Sequence, residues 1–214
     1  MTKLLGALCG AFIMLAASAA SAAPAAPKGK PLTDADRADI QRVQDYLNGV
    51  RTLKAKFIQT DPNGKSVSGV VSMQRPGKMR LEYDPPSPML VVVTGIWVVY
   101  EDTELHEATY VPINSTPAGF LLKENIQFGK DVHVLSLDRG PGVIRMTVSD
   151  KRDLGSGALI LTFSDKPMVL QKWTVIDSLG QTTEVALQDT KFGVNFPPAT
   201  FQYVDKGPNK QERQ

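Results

Sequence analysis

The chain is 214 residues long, 42% hydrophobic and 21% charged, with 24 Lys+Arg against 22 Asp+Glu and one cysteine. A balance so near zero, with no polybasic run, argues against nucleic acid as a partner and against strong adsorption to anionic lipid, since both need concentrated positive charge. Cys9 falls in the N-terminal apolar stretch, so the rest of the chain has no thiol for a disulfide, a nucleophile or a Cys-ligated metal and must be held by a core.

Lys3, the apolar run Leu4 to Leu15 and Ala20-Ser21-Ala22 read as an export leader cleaved after Ala22. The run is too short to span a bilayer, and no other segment approaches the ~20 residues required. Leu8 precedes Cys9 where a lipoprotein signal needs a small residue, so Cys9 is expected to leave with the leader. Residues 1–22 are thus the expected signal peptide, 23–31 a flexible Pro/Ala/Lys lead-in, 32–206 one domain and 207–214 a disordered tail.

Thr33 and Asp36 make a capping-box-like start, and Ile40, Val43, Leu47 and Val50 recur at helical spacing above a charged opposite face. Asn48-Gly49 weakens the end of that helix. Strands then dominate. Leu53–Thr60 turns at Asp61-Pro62-Asn63-Gly64 into Ser66–Gln74, followed by Met79–Tyr83, Leu90–Tyr100 broken at Thr94-Gly95, and Glu104–Val111. Thr116-Pro117 reads as a cap and proline opening a short helix with Phe120, Leu121 and Leu122. A second run covers Val132–Leu137, Val143–Ser149, Ala158–Ser164, Val169–Ile176 and Thr182–Lys191. About eleven short strands with tight links imply antiparallel neighbours, curling toward a barrel or splitting into two packed sheets.

Catalytic patterns are not found. His106 and His133 are the only histidines, and His106-Glu107 lacks the second histidine of a zinc-protease helix. Gly64-Lys65-Ser66 mimics the end of a phosphate loop, but Gln59 stands where the first glycine belongs, and the context is a hairpin. No Gly-x-Ser-x-Gly elbow and no carboxylate pair stand out. The Asn114-Ser115-Thr116 sequon is too short a pattern to carry weight.

What remains is apolar surface with one charge in it. Val71, Met73 and Arg75 share a strand face, as do Met79, Leu81 and Tyr83. A guanidinium on a greasy face must find hydrogen-bond acceptors or water, so Arg75 is either a rim charge facing solvent or a latch inside a cavity. Val91–Val93 and Ile96–Tyr100 are apolar on both faces. Such strands are either central and covered on each side, or have one face against helices and the other on a ligand cavity. Met73, Met79, Met89, Met146 and Met168 suit either an adaptable apolar site or plain core packing.

Five pieces recur in a familiar order: Phe57-Ile58-Gln59 on the first strand, Arg75-Pro76 before an apolar strand, Trp97-Val98-Val99-Tyr100 after a glycine turn, Thr116-Pro117 before Phe120-Leu121-Leu122, and Phe196-Pro197-Pro198 with Phe201. From Ile40 to Phe201 the chain resembles the LolA-like periplasmic outer-membrane lipoprotein carriers. The resemblance implies a mainly β fold with α: an unclosed antiparallel β-barrel covered by a helical lid, with no catalytic residue, cofactor or metal. It implies a hydrophobic acyl-chain cavity, expected to use Phe57, Val71, Met73, Met79, Leu81, Val92, Trp97, Phe120, Leu121 and Leu122. Ile40, Val43 and Leu47 would form the lid helix, with Arg75 as the latch that holds it shut until cargo arrives. The implied partners are acylated lipoproteins, an inner-membrane ABC-type lipoprotein-releasing transporter and an outer-membrane lipoprotein receptor, with the protein a periplasmic monomer. Thr94-Gly95 stands where many relatives have Asp-Gly, and Met79 where a bulky aromatic can occur. Rival readings are a carrier of free lipid or glycolipid, a lipoprotein-sensing regulatory module, and an enzyme on envelope lipids. The last is disfavoured by the missing catalytic groups.

Overall fold

Thr33 closes a capping box with Asp36. Its hydroxyl accepts the Asp36 N–H, and the Asp36 carboxylate accepts the Thr33 N–H, satisfying donors that a helix start leaves open. In this computed structural model, which describes residues 32–130, 132–150 and 157–205, the box opens helix α1, Asp34–Gly49. The leader, lead-in and tail expected at 1–22, 23–31 and 207–214 lie outside the described residues.

Strands β1 (Thr52–Thr60), β2 (Ser66–Gln74), β3 (Lys78–Tyr83), β4 (Met89–Thr94), β5 (Trp97–Asp102) and β6 (Glu107–Pro112) follow. After two 3-10 segments, Ile113–Ser115 and Pro117–Leu122, come β7 (Val132–Gly140), β8 (Val143–Asp150), β9 (Ala158–Ser164), β10 (Val169–Ile176) and β11 (Thr182–Phe192). All eleven join one open antiparallel sheet, in the order β6-β5-β4-β3-β2-β1-β11-β10-β9-β8-β7. Two meanders, β1–β6 and β7–β11, are therefore joined along β1 and β11, with β6 and β7 at the two edges.

Two local expectations are corrected. β6 begins at Glu107, not Glu104, because the Asp102 carboxylate accepts the N–H groups of Glu104 and Leu105, and His106 takes a φ of 56°. His106 thus belongs to a turn. Thr116 does not cap the short helix: the segment is 3-10, and the Thr116 hydroxyl donates back to the Ile113 carbonyl at 2.9 Å.

The sheet is strongly curled. β5 and β10 are six positions apart in the strand order, about 29 Å across a flat sheet at ~4.8 Å per strand. Yet Val98 and Tyr100 of β5 face the same hollow as Trp173 and Val175 of β10. The inward face carries the core, with Val71, Met146, Leu159, Leu161 and Phe163 fully buried.

α1 lies across one end of the curl, with Val43 and Leu47 buried against this core and Ile40 packed at its margin. Burying each of the first two side chains contributes about 1.5–3 kcal/mol. Tyr46 accepts the Leu170 N–H at 3.0 Å and meets Phe163 edge-on. The N-terminal half is tied down by ions instead: Arg139 of β7 reaches Asp36 at 2.6 Å and Asp39 at 2.7 Å, and Arg42 joins Asp39 to Asp165 in the β9–β10 turn.

The Thr33 backbone N–H, then Arg139, then the Thr33 hydroxyl, bring Asp36 down to about 2 from an ordinary 3.8. A carboxylate lowered on folding supports the fold only while ionised. Its share is complete above about pH 4 and disappears as pH falls to about 2. Amide protection over residues 34–42 should therefore fade within that window, ahead of the strands, and Arg139→Ala should move the loss toward its upper end. Hydrogen exchange as a function of pH checks this; protection at pH 2 equal to that at neutral pH would refute it.

On the outer face the chain returns as a strap. The 3-10 turn Pro198–Phe201 packs on β3 and β4, burying Phe201, and the Tyr203 ring meets Tyr110 edge-on.

Candidate functional site

Inside the curl is a hollow of about 460 Å³, walled by β3, β4, β5, β10, β11 and the 3-10 segments. This lies within the ~300–1,000 Å³ range of small-molecule sites. Most of its wall is aliphatic or sulfur-bearing: Met79 and Leu81 on β3, Met89, Val91 and Val93 on β4, Leu121 and Leu122 in the connecting 3-10 helix. Alternation and register explain the match across strands. Leu81 pairs with Val91, Met79 with Val93, and Val93 with Val98, and directly opposed residues share a face.

The hollow has two unlike ends. Gln59, Tyr83, Tyr100, Asp177, Ser178 and Thr183 ring the end remote from α1, where β1, β3, β5 and β10 finish. Toward α1, Met79, Leu121 and Trp173 separate it from a second void of about 30 Å³, which is lined by Leu47, Val71, Met73 and Arg75. That smaller space has about the volume of one water molecule.

Arg75 sits at this inner end and is only 6% exposed. Its Nε donates to the Lys123 carbonyl at 2.9 Å, and its Nη1 donates to the carbonyls of Leu47 and of Val50, the latter at 3.2 Å. One side chain thereby joins the β2–β3 turn, the last turn of α1 and the segment after the 3-10 helix. No carboxylate is among these partners, and among the described residues the buried Nη2 has none. Burial first, then the nearby Arg51 charge, lower Arg75 to about 10, so it remains charged at neutral pH. The rim reading of Arg75 is replaced by an inward one.

A profile of the family described as "Outer membrane lipoprotein carrier protein LolA" matches residues 48–204. The chain belongs to the LolA family. An outer-membrane lipoprotein carrier protein of Dechloromonas aromatica is 31% identical, covering 77% of this chain and 83% of its own length. One from Azotobacter vinelandii is 28% identical over 79% and 85%. A solved LolA superfamily protein from Nitrosomonas europaea superposes with TM-score 0.43 at 11% identity, covering 76% of this chain and 97% of that one.

Not every expected cavity residue of this LolA-family chain reaches the hollow. Met79, Leu81, Leu121 and Leu122 do, while Val71 and Met73 line the smaller void. Phe57 is inward but packed beneath, its ring edge-on to Tyr83 at 5.1 Å. Phe120 is buried against Phe128 and lines neither space. Val92 and Trp97 are corrected outright. With Val91, Val93 and Val98 inward, period two turns Val92, Trp97 and Val99 to the outer face, where Val92 pairs with Val99 and Trp97 meets Tyr110.

Sequence reasoning missed the polar ring at the open end, the β10 and β11 wall (Trp173, Val175, Val185), and two residues that hold the lid. Asn48 exchanges two hydrogen bonds with Ile126, at 2.8 and 3.0 Å, and Gln44 accepts the Phe128 N–H at 2.9 Å. For the wall, the alternation of Trp173 and Val175 was a usable signal. For Asn48 and Gln44 there was none, because their partners are backbone groups 78 and 84 residues away.

Among the described residues no cluster of three His, Cys, Asp or Glu forms to hold a metal.

Proposed function

We propose that this protein is a periplasmic carrier whose hollow takes up the acyl chains of lipoproteins and shuttles them from the inner to the outer membrane. The observation that carries this is the apolar hollow, with α1 fastened by Arg75 over the smaller void at its inner end. Each buried methylene contributes ~0.8 kcal/mol, so a chain leaves a bilayer only for a shelter of comparable apolarity. Release then needs an opposing term, supplied here by Arg75 holding α1 shut in the empty state. An inner-membrane ABC-type transporter would load this monomer and an outer-membrane receptor would unload it. Relatives named as outer-membrane lipoprotein carriers support the reading.

The mature protein isolated from periplasm should co-elute with acylated protein detectable by mass spectrometry. Free lipid or glycolipid as the bound species would replace lipoprotein as the cargo, and an always-empty protein would leave the carrier reading without support.

A further inference from the structure

The open end of the hollow holds an arrangement that shielding fatty tails does not require. Tyr83 donates its hydroxyl proton to Gln59 Oε1 at 2.7 Å, and both side chains line the hollow. An amide has one acceptor oxygen and two N–H donors. With Oε1 taken, Gln59 offers donors, and Nε2 bonds to nothing among the described residues. Tyr83 is itself fixed, its ring edge-on to Phe57 over the gap left by Gly69. Burial, then Tyr100, push its hydroxyl up to about 12, while the Gln59 bond opposes them. It therefore remains a protonated donor at neutral pH and holds the amide in one orientation.

A fixed pair of N–H donors at the mouth of an apolar hollow suits a carbonyl oxygen. Among the described lining residues only Asp177 carries a charge, and it is negative, so they offer an anionic head group no counter-charge. Apolar pockets commonly fix ligand orientation with a few such polar groups.

We infer that Gln59, oriented by Tyr83, binds the ester or amide carbonyl where an acyl chain joins its polar head, seating the chain with its tail toward Arg75. This rests on the hollow being an acyl-chain site. Gln59 is the binding residue and Tyr83 the positioning residue. The class selected is a neutral acyl ester or amide, in preference to the same chain attached through an ether.

The test uses two probes with equal tails and equal heads, 1-monopalmitoylglycerol and 1-O-hexadecylglycerol, which differ only in the carbonyl. Binding is read from Trp173 emission in a Trp97→Phe background, since the chain has two tryptophans and Trp173 lines the hollow. The ester should bind about three- to tenfold more tightly than the ether, the range of one hydrogen bond. Gln59→Leu and Tyr83→Phe should each bring the two probes close to parity. Equal affinity in the parent protein, or a preference that survives both substitutions, overturns the inference while leaving the acyl-chain hollow standing. If neither probe changes Trp173 emission, the hollow does not take acyl chains, and both readings fall together.

Discussion

Arg75→Leu should load lipoprotein and deliver it poorly, with transfer to an outer-membrane receptor falling about tenfold. The guanidinium donates to three backbone carbonyls on two separate segments. Hydrogen bonds from a charged donor contribute about 1.5–3 kcal/mol each. Removing the ion from water costs several kcal/mol, and no carboxylate partner or Nη2 acceptor offsets that. The remainder is on the order of 1–2 kcal/mol, a factor of about 5–30 in an open–closed balance. A difference of that size opposes cargo without excluding it. Leucine abolishes the term, so affinity for the acyl chain should rise by the same factor and hand-over should slow. A receptor-transfer assay with purified components decides the point, and wild-type transfer by Arg75→Leu would show that Arg75 is only packing.

Gly69→Val should lower stability by about 2–4 kcal/mol through overpacking, or roughly 5–15 °C in Tm for a chain of this size. Gly69 pairs with Phe57 on one side and Tyr83 on the other. Its missing side chain lets those rings meet at 5.1 Å and 83°. A Cβ there would stand 2.1 Å from the Glu82 carbonyl oxygen and 2.8 Å from the Phe57 ring. Either β3 shifts or the rings separate, and ring separation would also disturb Tyr83 and its bond to Gln59. Gly140→Ala is the control, because nothing lies within 4 Å of a Cβ at that position. Thermal unfolding that does not distinguish Gly69→Val from the parent would contradict the close approach.

Much of the fold was legible because it rests on local signals. The Asp61–Gly64 turn, the capping box at Thr33 and Asp36, and the alternation within each strand depend on residues a few positions apart. The pairing of β1 with β11 does not, since it joins residues more than 120 positions apart. Arg75 was legible as an oddity, a charge among apolar neighbours, and family resemblance supplied its expected role. Val92 and Trp97 failed for a specific reason. Period two says which residues share a face but not which face turns inward, and β4 and β5 are apolar on both. Here both uses apply: Val91 and Val93 wall the hollow, while Val92 faces the opposite side of β4, the strand on which the Phe201 strap packs, and pairs with the buried Val99. That strap lies beyond the last strand, in a Pro-rich stretch without periodicity, so its contacts left no pattern. The Gln59–Tyr83 pair was hidden because a polar residue near a strand end reads as solvent-facing.

β6 and β7 border the wall without pairing to each other, and this has a mechanical consequence. The circumference of a closed barrel is set by its strand number and shear, so widening it breaks ladder bonds. A cylinder with an open seam can dilate by parting that seam, with every backbone pair intact. Guests of different girth could thus share one container, provided that the chain crossing between the two edge strands follows, together with α1, which is bonded both to β7 and to the β2–β3 turn.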